Sequence, residues 1–70
     1  MIITGYTIEL NKVKYNLYVS KTIEHDYFES EIASFISEHL NELKENQTSH
    51  FKDINCYVDT HSKQIRVYKN

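Results

Sequence analysis

Seventy residues with a net charge of −2 and a single cysteine, Cys56, describe one small domain. A chain of this length buries only about 60% of its unfolded surface, and one cysteine closes no intrachain disulfide and makes no cysteine-rich zinc site. The average charge hides a division. Between Ile23 and Glu45 stand seven acids against Lys44 alone, so this stretch carries −6 and the remainder +4. The near-neutral total excludes a general attraction to nucleic acid or to an anionic membrane.

Residues 2–20 alternate as a β-hairpin. Ile2, Tyr6, Ile8 and Leu10 share one parity, and Val13, Tyr15, Leu17 and Val19 share another. A two-residue turn at Asn11-Lys12 pairs Leu10 with Val13, Ile8 with Tyr15 and Tyr6 with Leu17 on the inner face. The same register sets Glu9 against Lys14, and Gly5 under the ring of Tyr18.

Asp26-Tyr27-Phe28-Glu29 has the form of a capping box and predicts one helix over about 26–45. At about 100° per residue, Phe28, Ile32, Phe35, Ile36, Leu40 and Leu43 fall in an arc of about 140°, as expected of a helix packed on a sheet. His39 falls in the middle of that arc and is expected to bond a backbone carbonyl or a tyrosine hydroxyl. Asn46 is a candidate left-handed stop, and Gln47–His50 reads as a polar loop.

Residues 53–69 repeat the hairpin logic. Ile54, Cys56 and Val58 face inward, Thr60–Lys63 turns the chain, and Ile65 and Val67 return. Val58 then opposes Ile65, Cys56 opposes Val67, Tyr57 opposes Arg66 and Asn55 opposes Tyr68. The expected fold is a single two-layer α+β domain over 1–70, ββαββ. One amphipathic helix packs on one face of a four-stranded, mainly antiparallel sheet and leaves the other face bare.

Two surfaces are candidates for function. Glu31, Glu38, Glu42 and Glu45 form an acidic flank on the predicted helix, suited to a larger protein with a basic groove. Lys14, Tyr18, Tyr57, Arg66 and Tyr68 lie on the bare face, where tyrosines can anchor a protein or stack single-stranded bases. Catalysis is not expected. Cys56 points inward, the only glycine lies in a strand, and Glu38 and Glu42 sit on a solvated flank where nothing tunes their pKa. So small a fold also has little room for a cavity of the roughly 300 Å³ that small-molecule sites need. The four histidines are spaced by 14, 11 and 11 residues, without a helical metal pair, and no metal or cofactor is expected.

No apolar run approaches the roughly 20 residues of a membrane span, and the N-terminal residues lack the pattern of a signal peptide, so a cytoplasmic location is expected. In size, acidity, richness in Tyr and absence of Pro and Trp, the chain resembles small accessory proteins of phages and plasmids, anti-CRISPR and host-takeover inhibitors among them. That is a likeness of composition, and it assigns no residues. The leading expectation is therefore a non-catalytic protein-binding module. A single-stranded nucleic-acid-binding sheet and a structural homodimer that buries the bare face or pairs edge strands are the alternatives.

Overall fold

A computed structural model describes residues 1–70. The α+β class is as expected, but the sheet has five strands and the helical region is broken in two. Strands β1 (Ile2–Leu10) and β2 (Val13–Val19) form the first hairpin. Asn11 and Lys12 turn it at φ 52° and 67°, the left-handed pair that matches the twist of the flanking strands. The expected register holds at Leu10–Val13, Glu9–Lys14 and Ile8–Tyr15.

Beyond Thr7 the register shifts, so that Ile3, not Gly5, faces Tyr18, and Ile2 faces Val19. A side chain at Gly5 would meet open space, so no ring covers it. Thr4 is the physical reason. Its buried hydroxyl donates to the Leu17 carbonyl at 2.9 Å and accepts the Tyr6 amide at 3.1 Å, satisfying groups that the ladder leaves unpaired. Tyr6, expected in the core, is turned outward as a result and is 41% exposed.

A separate α1 (Lys21–Asp26) forms where no helix was expected, and the single helix over 26–45 is shortened to α2 (Glu29–Glu38) and a 3₁₀ turn at Leu40–Glu42. Ile23 and Ile32 explain the break. Nine residues apart, they would lie about 180° from each other on one continuous helix. Both are buried against the same sheet, and the extended residues Tyr27 and Phe28 reset the helical phase to allow it. The caps move accordingly. Ser20 accepts the Ile23 amide at 3.3 Å to start α1, and Glu31 Oε1 accepts the Phe28 amide at 2.9 Å at the start of α2. Asp26, expected as the cap, instead ends α1 in an ion pair with Lys69. Asn46 does take a left-handed φ of 59°, but in a turn beyond the helices, where its backbone N–H donates to the Val58 carbonyl at 2.7 Å.

The segment expected as a polar loop contains strand β3 (Thr48–His50), antiparallel to β4 (Ile54–Asp59). β4 and β5 (Gln64–Lys69) form the second hairpin with the register predicted at every named pair. The strand order is β1-β2-β5-β4-β3, and β2 and β5 run parallel, Leu17 beside Ile65 and Val19 beside Val67. Fifteen buried apolar residues, fourteen from the inner face and both helices together with Leu43 just past the 3₁₀ turn, form one core. No helix is long and apolar enough to cross a membrane.

Cys56 lies in that core with no exposed surface, and burial pushes its thiol up to about 12. A thiol reagent at pH 8 should therefore label the native chain only at the rate of opening, and label it rapidly in urea. Fast labelling of native protein would contradict the inward placement.

Candidate functional site

The strand order decides what the bare face carries. Pairing across β2, β5 and β4 puts Tyr18, Arg66 and Tyr57 in one row, with Ile3 and Thr48 at its ends. Tyr68 lies in a parallel row beside Asn55 and His50, and Lys14 is set apart at the turn end of the first hairpin, paired with Glu9.

Arg66, the one cation between the tyrosines, is occupied by its neighbours. Its Nη1 donates to Asp59 Oδ2 and Gln64 Oε1, both at 3.0 Å, and its guanidinium lies 5.1 Å from the centre of the Tyr57 ring. Asp59 is fixed in turn. The backbone amide of Ser62, followed by the Arg66 guanidinium, holds its carboxyl down to about 2. The three tyrosines of this face are all half-buried among their strand neighbours. On this face Arg66, Asp59 and Gln64 bond one another and His50 bonds Asn55, while Ile3 at the end of the row is 55% exposed.

The helix side is different. The four glutamates of the predicted flank do not share one helix: Glu31 and Glu38 stand on α2, Glu42 is in the 3₁₀ turn, and Glu45 lies beyond it beside Val58. Seven residues apart, Glu31 and Glu38 return to within about 20° of one another, so they keep a common flank. Glu42 comes within 3.8 Å of His39 Nε2, and Glu45 is near Tyr15, whose phenol is raised by burial and then by this carboxylate. Of the seven acids between Ile23 and Glu45, only Asp26 is paired with a lysine.

Between α2 and the chain entering β4 lies an open groove of about 340 Å³, larger than so small a fold was expected to hold. Tyr27, Ile32, Phe35, Phe51 and Ile54 form its apolar walls, and Glu31, Lys52 and Asp53 stand on its rim. One wall is stiffened by aromatic contacts. Phe35 meets the edge of Phe51 at 5.2 Å and stacks on His39 at 4.1 Å, and the Nδ1–H of His39 donates to the Phe35 carbonyl at 2.8 Å.

Phe28, counted with the predicted core, is 77% exposed at the start of α2. It borders a smaller hollow lined also by Glu24, His25 and Asp26, which shares Tyr27 and Glu31 with the groove. Sequence reasoning missed this constellation because it assumed one helix. Phe28 shares the helical phase of Ile32 and Ile36 but precedes the first turn of α2 as its extended N-cap, and Glu31 three residues on was the signal that could have placed the helix start there. No family model, curated protein or solved structure matches the chain.

Proposed function

We propose that this chain is a non-catalytic protein-binding module, an inhibitor or accessory factor of the small phage- or plasmid-borne kind, which acts in the cytoplasm by docking its acidic helix side on a larger, basic protein. The observation that carries this reading is Phe28, 77% exposed beside an apolar groove and within the segment of charge −6. A large aromatic side chain held in water contributes little to folding, and in a chain this small it is better accounted for as an anchor that a partner covers. The surrounding acids add long-range attraction toward a basic partner and speed the encounter.

The bare sheet face supports single-stranded nucleic-acid binding less well, because Arg66 already serves Asp59 and Tyr57. Affinity capture from the source cell separates the two readings. One protein should be enriched from nuclease-treated extract and released by salt, while a labelled oligonucleotide shows no shift at low salt. Capture that disappears with nuclease, or an oligonucleotide that binds, would overturn the proposal.

A further inference from the structure

We infer that the groove walled by Tyr27, Ile32, Phe35, Phe51 and Ile54 receives one bulky apolar side chain from a lysine- or arginine-rich segment of the partner, an inference that rests on the protein-binding reading above. At about 340 Å³ it is at the small end of the roughly 300–1,000 Å³ of ligand sites, room for a single Phe, Leu, Met or Trp and not for a folded element.

Charge selects the occupant. Lys52 and Asp53 on the rim offset each other, which leaves Glu31, shared with the adjoining hollow, as the uncompensated charge at the groove, and Glu24 in that hollow as the next. A second copy that placed its own Phe28 in the groove would bring two segments of −6 together, and like charges brought together oppose such a dimer. Nucleic acid and anionic lipid meet the same repulsion. A basic segment gains from it, with the apolar side chain supplying the desolvated anchor and Phe28 covering the segment beside it.

Selection of randomised linear peptides on the folded, immobilised chain tests this without knowing the partner. The peptides enriched should share one large apolar residue flanked by Lys or Arg. Their binding should shift the methyl resonances of Ile32 and Ile54 in the unmodified chain. Changing the apolar residue to Ala in the peptide, or Phe51→Ala in the protein, should weaken binding by about tenfold or more. Because Phe51 also packs on Phe35, circular dichroism checks that the variant folds, and the methyl shifts of the unmodified chain stand independently of it.

Basic peptides that leave the groove methyls unmoved and shift Glu38 or Glu42 would end the groove assignment and leave the acidic docking side intact. Acidic or neutral peptides, or none enriched, would end both. Groove resonances that move with protein concentration alone would make a second copy the occupant and overturn the inference.

Discussion

Replacing Ile65 by Ala is expected to remove about 2–5 kcal/mol of stability, as large-to-small changes in a closed core do. Against a total of about 4–10 kcal/mol for a domain of this length, that is enough to bring the chain close to unfolding at room temperature. The site lies in the centre of the sheet. Ile65 has no exposed surface and sits on β5, the middle strand, with Leu17 of β2 on one side and Val58 of β4 on the other. Its loss leaves a cavity where the parallel pairing of β2 with β5 meets the antiparallel pairing of β5 with β4, and the strand neighbours cannot close on it without leaving their ladders. Urea melts followed by circular dichroism should show the midpoint fall steeply, whereas Phe28→Ala, at an exposed position, should stay within about 0.5 kcal/mol of the parent. An unchanged midpoint for Ile65→Ala would mean that β5 is not the keystone of the sheet.

The second large effect is on binding, in a chain carrying Glu31→Gln together with Glu38→Lys. Glu31 has two roles, since its carboxylate also accepts the Phe28 amide at the start of α2. Reversing it to Lys would damage the cap and confuse weak binding with a loosened helix. Gln keeps an acceptor oxygen at the same place and removes only the charge. With Glu38 reversed as well, the segment from Ile23 to Glu45 moves from −6 to −3, since Glu31→Gln removes one negative charge and Glu38→Lys removes one and adds one positive. Affinity for the captured partner or for a selected basic peptide should fall by about tenfold at low salt, mainly through slower association, and the difference should shrink as salt screens both proteins. Equal affinity at every salt concentration would exclude the α2 flank from the interface.

The candidate site was only partly legible from composition. The charge of the helical segment is a property of the chain and survives any folding of it. The strip of Glu31, Glu38, Glu42 and Glu45 required one unbroken helix, and only its first two members stay aligned. Strand alternation put Tyr18, Tyr57 and Tyr68 on one sheet face but left their adjacency open, and that Arg66 stands between Tyr18 and Tyr57 follows from the parallel pairing of β2 with β5, which no local pattern encodes.

Local alternation by itself determined both hairpins, the inward set Ile8, Leu10, Tyr15, Leu17, Val19, Cys56, Val58, Ile65 and Val67, and the left-handed turn at Asn11-Lys12. Side-chain parity and turn geometry are properties of consecutive residues, so they can be read from consecutive residues. The helix break, the bulge at Thr4, strand β3 and the groove depend on groups far apart in the chain. Ile23 and Ile32 must reach one sheet, Thr4 must find the Leu17 carbonyl, and Thr48–His50 becomes a strand because β4 offers it a free edge of backbone donors and acceptors. Phe28 is left in water by the same constraint. The sheet surface that α1 and α2 both bury decided it, and the periodicity of the helix could not.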